Sequence, residues 1–342
     1  MVQPQSKLDV VIESPTSKHQ EHAVKPYNIE NQEKTKKKPS VIANINASYF
    51  RICISLAGQA LLWKTLSEDT NMGPTFRNLF LKLPSTAFFL LWCLSLCVLV
   101  SLSILYVLRC IFYFNMVKAE FHHHVGVNYL FAPWISWLLL LLSAPSFILR
   151  HKYSCEYLWW LLIIPVVGLD VKVYGQWFTT EKRFLSMVAN PTSQLSRLSG
   201  SNHIPSKLRP VFFLFVAAPS MAALAWKSIK GSFDIQCKML FFLSLFLFTS
   251  LASRPMLFKK SVKEFSVAWW AFSFPLTFLA LAATAYAQQV KSLTATGLAV
   301  VLSTISVLVF LLLLVFSTLK IDSLLHKPIL KFSNDSVSYN LN

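Results

Sequence analysis

The sequence predicts an all-α polytopic membrane protein, and three observations support that class. The chain has 342 residues, of which 54% are hydrophobic. Several of its apolar runs reach about 20 residues, the length a helix needs to cross a bilayer. The 32 lysines and arginines lie mostly in the loops and tails between these runs, a distribution typical of membrane proteins.

Eight apolar segments follow a polar N-terminal stretch. Residues 1–46 are charged and include a lysine cluster at 34–38, so we expect a disordered cytoplasmic tail. The lysine cluster fits either a solvated flank or a contact with anionic lipid. The apolar segments form a predicted transmembrane domain over 47–320, followed by a cytoplasmic tail over 321–342; they are about 47–64, 85–114, 127–149, 157–178, 211–226, 239–252, 265–286 and 296–319.

Loop charges predict the orientation. Basic residues are concentrated between the fourth and fifth segments and between the sixth and seventh. Positive loops are retained in the cytoplasm, so both loops and both termini are expected there. The opposite loops also carry basic residues, which makes the bias moderate. The net charge of +17 follows from this pattern and from attraction to anionic lipid, so we expect no nucleic-acid partner.

The seventh segment, 265–286, is the most informative. It has no acidic or basic side chain and contains Pro275 directly after Phe274. Proline removes a backbone donor, so we expect a kink at Pro275. Pro133 and Pro219 lie in two further segments that run in the same direction. This arrangement predicts kinked helices around a lumen that Phe274 obstructs.

Few polar side chains lie within the segments. Arg51 is near the start of the first segment, where its side chain can snorkel. Arg109 is expected either at the interface or in the pore, and Asp170 and Lys172 as a structural pair at a helix end or as partners of other helices. Gln59 lies among small residues and is a candidate pore-lining side chain.

The sequence offers no support for an enzyme, a cofactor or a metal. It has six cysteines but no CxxC motif, and the contiguous histidines at 122–124 cannot share one helix face. No nucleophile–base constellation, glycine-rich phosphate loop or HExxH motif is present. A proton-coupled carboxylate transporter would need a titratable group in the pore, and the proline-containing segments offer none.

Four stretches together resemble the plant slow-type (S-type) anion channel family, which is related to bacterial tellurite-resistance and dicarboxylate transporter proteins. The resemblance covers about residues 44–330 and is most similar to the members with a short N-terminus. The stretches are IFYFNMVKAEFHHHVGVNYLFAPW (111–134), KVYGQWFTTEKRFLSMVANPTSQLS (172–196), FVAAPSMAALAW (215–226) and FSVAWWAFSFPLT (265–277).

The resemblance implies a fold of ten helices, arranged as five helical hairpins around a central pore. It implies a plasma-membrane trimer of independent pores that pass chloride and nitrate, with a regulatory kinase as a further partner. The gate phenylalanine of the family falls in the stretch 273–277, which names Phe274 as the gate. Ser273 and Thr277 in the same stretch join Gln59 as pore-lining candidates.

One departure from the family changes the expected function. After Ser196 the chain runs directly into a short polar stretch, 197–210, where the family has its fifth and sixth helices. We therefore expect about eight helices and an internal deletion near 197–210. A conducting channel subunit is the first functional prediction. An electrically silent or regulatory subunit of channel heteromers, or a non-functional truncated product, is the alternative.

Overall fold

The computed structural model describes residues 41–68, 85–122, 126–145, 148, 152–179, 213–254 and 266–320. The expectations for residues 1–40, for the junction at 197–210 and for the tail at 321–342 lie outside these ranges. Within them, every regular element is helical. The α-helices are α1 (Val41–Asn44), α2 (Phe50–Glu68), α3 (Ser85–Phe112), α4 (Phe114–His122), α5 (Phe131–Leu142), α6 (Lys152–Thr179), α7 (Leu214–Lys230), α8 (Ile235–Ala252), α9 (Trp270–Val290) and α10 (Leu293–Leu319).

Each of the eight predicted segments contains an α-helix in its described part, which confirms the all-α class. Among the described residues, five helices are long and apolar enough to cross a membrane, and the bent pair of α4 with Val127–Leu142 would make a sixth. The five are Thr86–Phe112, Cys155–Gly175, Ile235–Ala252, Val267–Val290 and Leu293–Leu319. Helix α7, with 17 residues, is shorter than these spans.

Helix α9 lies at the centre of the bundle. It packs against α2, α7, α8 and α10, and α2 packs in turn against α3 and α5. In the most apolar stretch of α9, 83% of the residues are buried, against 11% for α6. The exposed faces of α3, α6 and α8 are rich in large apolar side chains, as expected of surfaces that face lipid.

Three of the helices begin in the same way and at the same end of the bundle. Short 3₁₀ turns precede α2, α5 and α9, and the turn before α2 contacts the other two. The N-terminal, positive ends of these three helix dipoles therefore gather together. The turns are Ala47–Tyr49, Val127–Leu130 and Val267–Trp269.

The prolines only partly follow the predicted pattern. Pro219 and Pro275 lie inside α7 and α9, as predicted. Pro133 is the third residue of α5 and directly follows the 3₁₀ turn Val127–Leu130, so it lies close to the start of the helix and not in its middle. Pro165 lies inside α6 and was not among the predicted kinks. Internal prolines are therefore not confined to the three segments singled out from the sequence.

Hydroxyl side chains accompany the internal prolines. The Thr277 hydroxyl donates to the Ser273 carbonyl at 3.0 Å, and the Ser55 hydroxyl of α2 donates to the Trp270 carbonyl at 3.3 Å. Beside Pro219, the Val216 carbonyl accepts from the hydroxyls of Ser220 and Ser244. Side chains on the same and neighbouring helices thus bond backbone carbonyls close to Pro219 and Pro275.

Candidate functional site

Phe274 lies on α9 in the turn that precedes Pro275. Its neighbours Ser273 and Pro275 are buried, whereas Phe274 is half-buried. Its ring centroid lies 4.8 Å from that of Phe278, and the ring packs against the main hydrophobic core. Phe274 therefore borders the less densely packed side of an otherwise enclosed helix.

A polar seam, which we define as Gln59, Ser273, Thr277, Ser303 and Ser306, runs beside this turn between α2, α9 and α10. The Gln59 amide nitrogen donates to the hydroxyls of Thr277 and Ser306, each at 2.9 Å. All five side chains are buried. In the described part of the chain, Gln59 Oε1 and the hydroxyls of Ser273 and Ser303 have no hydrogen-bond partner.

The seam joins all three pore-lining candidates. Gln59 and Thr277 are in direct contact, and the Thr277 hydroxyl bonds the backbone carbonyl of Ser273. Ser306 was not predicted, since an isolated serine in an apolar run is common in membrane helices. The contact of α2 with α9 is close, because a Cβ added to Gly58 would lie 3.5 Å from Thr277 Cγ2.

A buried ion pair lies at the same end of the bundle as the 3₁₀ turns. Arg109 Nη1 of α3 lies 2.7 Å from Glu120 Oε2 of α4, and both side chains are almost fully buried. The second oxygen of Glu120 accepts from the Ala47 amide at 3.1 Å. Arg109 is thus buried away from an open interface, and Glu120 is its counter-ion. Glu120 was not predicted as a partner of Arg109, although its spacing from Arg109 could have suggested a pair.

The other charged side chains meet the expectations only in part, and the contact of Lys172 with another helix is one that was expected. Arg51 does not snorkel, since only 8% of it is exposed, and its guanidinium lies over the Tyr129 ring at 4.5 Å. Asp170 and Lys172 form no salt bridge among the described residues: Asp170 is exposed, and the Lys172 ammonium lies over the Phe121 ring.

A bundle of long apolar helices around an enclosed, proline-containing helix defines a polytopic α-helical membrane protein. Comparison with known families gives the particular family. The sequence matches the SLAC1 family model, described as a voltage-dependent anion channel, over residues 44–196 and 192–318. The chain therefore belongs to the SLAC1 family of voltage-dependent anion channels, which is not a family of enzymes.

Curated relatives from Arabidopsis thaliana agree with this assignment. The chain is 50% identical to S-type anion channel SLAH1, with 86% of this chain and 87% of the relative covered. It is 48% identical to S-type anion channel SLAH4, with 84% and 87% covered. It is 36% identical to the guard cell S-type anion channel SLAC1, with 75% of this chain and 52% of the relative covered.

The alignment with SLAH1 contains more positions than this chain supplies. It runs over 337 positions but covers 86% of this chain, about 294 of 342 residues, so about 43 of its positions have no counterpart here. The two stretches that match the family model overlap at residues 192–196.

Proposed function

We propose that this chain is a subunit of a plasma-membrane slow-type anion channel that conducts chloride and nitrate passively through a pore gated by Phe274. The observation that carries the proposal is the position of Phe274, a half-buried ring beside Pro275 on the most enclosed helix of an anion-channel family member. Both termini are proposed to be cytoplasmic, because the basic loops of the sequence favour that orientation.

An aromatic gate suits a channel for weakly hydrated anions. Phe274 carries no charge, so it blocks a narrow path by its volume and by excluding water, without binding the ion tightly. Rotation of the ring about its side-chain bonds would open the path. The helix N-termini at one end of α2, α5 and α9 supply a positive potential that favours anions.

The pore-lining candidates take different roles in this proposal. The Ser273 hydroxyl, buried next to Phe274 and without a partner in the described part of the chain, is proposed to face the permeating ion. Gln59 and Thr277 bond each other and Ser306. We therefore propose that they hold the gate-bearing turn of α9 against α2 and α10, close to the ion path.

A second candidate function rests on the gap in the alignment. We propose that the fifth and sixth helices of the family are missing near 197–210, and the 43 or so unmatched positions support this, since two membrane helices need about 40 residues. A pore without one lining helix would need a neighbouring subunit to close it. The alternative is therefore an electrically silent or regulatory subunit of a trimer with full-length relatives, controlled by a kinase.

Voltage clamp of oocytes that express the chain tests the first candidate. We expect an anion current in chloride and nitrate, with Phe274→Ala increasing it in the absence of an activating kinase. Phe246→Ala removes a ring of α8 that is 64% exposed and should leave the current unchanged. No current from the chain or from Phe274→Ala, with normal surface expression, would contradict a conducting subunit.

Co-expression with a full-length relative tests the second candidate. A silent subunit predicts no current alone but a shifted reversal potential in the mixture, together with co-purification. Unchanged properties and no co-purification would reject this role. Sequencing the transcript across the codons for 196–207 would show whether the shortened chain is the natural product or a truncated, non-functional one.

A further inference from the structure

Two arginines are buried at the end of the bundle where the 3₁₀ turns gather, and only one has an acidic partner. Arg109 is paired with Glu120, as described above. Arg51 is 8% exposed, and the only ion pair among the described residues is that of Arg109 with Glu120. A buried charge without a counter-ion is strongly disfavoured. Among the described residues, therefore, no carboxylate lies within salt-bridge distance of Arg51.

The described side chains that contact Arg51 do not supply a negative charge or a hydrogen-bond acceptor for Nη1. Its guanidinium lies over the face of Tyr129, a cation–π contact that offsets part of the desolvation. However, Arg51 Nη1 and the Tyr129 hydroxyl are both buried without a hydrogen-bond partner in the described part of the chain. Both groups can donate a hydrogen bond. Two buried donors without an acceptor, on side chains in direct contact, indicate that an acceptor is missing beside them.

The helix N-termini around Arg51 make its site still more favourable for an anion. Arg51 is the second residue of α2, and the first turn of α2 contains no acidic residue. Tyr129 belongs to the 3₁₀ turn that leads into α5, and this turn contacts the turn before α2. A cation at a helix N-terminus is repelled by the helix dipole, whereas an anion there is stabilised.

We propose that Arg51 and Tyr129 form a binding site for a small monovalent anion at the end of the bundle where the N-termini of α2 and α5 meet. The guanidinium supplies the charge, and the hydroxyl supplies a second hydrogen bond. The burial of Arg51 restricts the ligand to small ions such as chloride and nitrate. The inference rests on the proposed function for the nature of the ion, and it adds a site separate from the gate on α9.

Thermal unfolding of the purified full-length chain in detergent, followed by tryptophan fluorescence, tests this site without requiring a current. Sodium chloride or sodium nitrate replaces sodium gluconate at constant ionic strength, because gluconate is too large for a buried site. We expect a saturable rise in melting temperature with chloride and nitrate. Arg51→Gln should abolish the rise, and Tyr129→Phe should raise the half-saturating concentration several-fold while keeping the aromatic face.

Arg254→Gln is the matched control, since Arg254 is an exposed arginine after α8, and it should behave like the wild type. No chloride-specific rise in the wild type, or a full rise in Arg51→Gln, would overturn the site. If Arg51→Gln does not fold, an unchanged half-saturating concentration in Tyr129→Phe overturns it. An anion-specific rise in a chain that carries no current supports the site while contradicting the conducting subunit. An anion current without an anion-specific rise in melting temperature overturns the Arg51 site but leaves the conducting subunit standing.

Discussion

Arg109 and Glu120 form a 2.7 Å ion pair in which the exposed fractions of the side chains are only 2% and 0%. Because Glu120 also accepts the Ala47 amide, this carboxylate connects three parts of the chain: α3, α4 and the turn before α2. Its role is structural, and it fixes the segment that leads into the helix carrying Arg51 and Gln59.

Removing the charge of Glu120 should therefore destabilise the protein strongly. Glu120→Gln leaves the Arg109 guanidinium buried without a counter-ion, and we expect a loss of about 3–5 kcal/mol in the free energy of unfolding. Thermal unfolding in detergent measures the loss, and Glu156→Gln, at an exposed position of α6, is the control. The double variant Arg109→Met with Glu120→Gln should recover part of the stability. A Glu120→Gln protein as stable as the wild type would show that the pair contributes nothing.

Substitutions of Gln59 should separate the effect of its hydrogen bonds from the effect of a buried charge. Gln59→Leu removes the interhelical hydrogen bonds of the amide to the Thr277 hydroxyl and to the hydroxyl and carbonyl of Ser306. It also removes the unpartnered Oε1 and leaves Thr277 and Ser306 bonded to each other at 3.1 Å. Interhelical hydrogen bonds in membrane proteins contribute about 0.6 kcal/mol on average. We expect a change in unfolding free energy of about 1 kcal/mol or less.

Gln59→Glu should behave very differently, because it places a carboxylate among hydroxyl groups at a fully buried position. We expect a loss of several kcal/mol, or a carboxyl group that stays protonated at neutral pH. Unfolding of both variants at pH 7 and pH 5 gives the comparison. Similar stabilities for Gln59→Leu and Gln59→Glu at pH 7 would argue that the seam is open to water.

The helix arrangement could be predicted from the sequence better than the contacts could. Apolar runs mark where helices lie, because burial in lipid requires about 20 apolar residues. They do not mark where a helix begins, and for this reason Pro133 was expected at a kink but lies in the first turn of α5. Likewise, Gln59 and Thr277 were singled out separately, but nothing in their local sequences shows that residues 218 positions apart form a bond.

The position of Arg51 likewise could not be predicted from the local sequence. A long basic side chain near the end of an apolar run usually reaches the interface, so snorkelling was the expectation. The 3₁₀ turn before α5 covers this position with Tyr129 instead, and the turn is visible only once α2 and α5 are packed together. Local sequence thus predicts the cost of burying a charge but not which elements bury it.

Asp234 should stabilise the turn between α7 and α8 in a pH-dependent way. Its carboxylate caps α8 by accepting the Cys237 amide, and it also accepts the Trp226 indole N–H. Desolvation would raise the pKa of Asp234, but these hydrogen bonds and the charge of Lys230 lower it below its ordinary value of 3.8. A lowered pKa means that this stabilisation is fully present above pH 3.8 and is lost as the pH falls through the lower, folded-state pKa.

Asp234→Ala should therefore lower the melting temperature by a constant amount between pH 7 and pH 5, and the difference from the wild type should shrink only below about pH 3.8. Asp234→Asn keeps a capping side chain and should lose less than Asp234→Ala at pH 7. A difference that already disappears near pH 5 would indicate a raised pKa and contradict the hydrogen-bond assignment.

Gly58 should tolerate one methyl group but not a larger side chain. A Cβ at this position would make ordinary contacts, 3.5 Å to Thr277 Cγ2 and 4.0 Å to the ring of Phe278. Alanine also favours a helix over glycine by about 0.8–1.0 kcal/mol, so Gly58→Ala should be neutral or stabilising. Gly58→Ile would push against Thr277 and Phe278 and should cost about 1–3 kcal/mol.

The same substitutions test whether the packing of α2 on α9 controls the proposed gate. Because Phe278 contacts Phe274, we expect Gly58→Ile to change the anion current as well as the melting temperature. Gly168 of α6 has open space around it, and Gly168→Ile should leave the current unchanged. If Gly58→Ile lowers stability while the current per channel at the surface stays at the wild-type value, the contact of α2 with α9 holds the fold but does not set the position of Phe274.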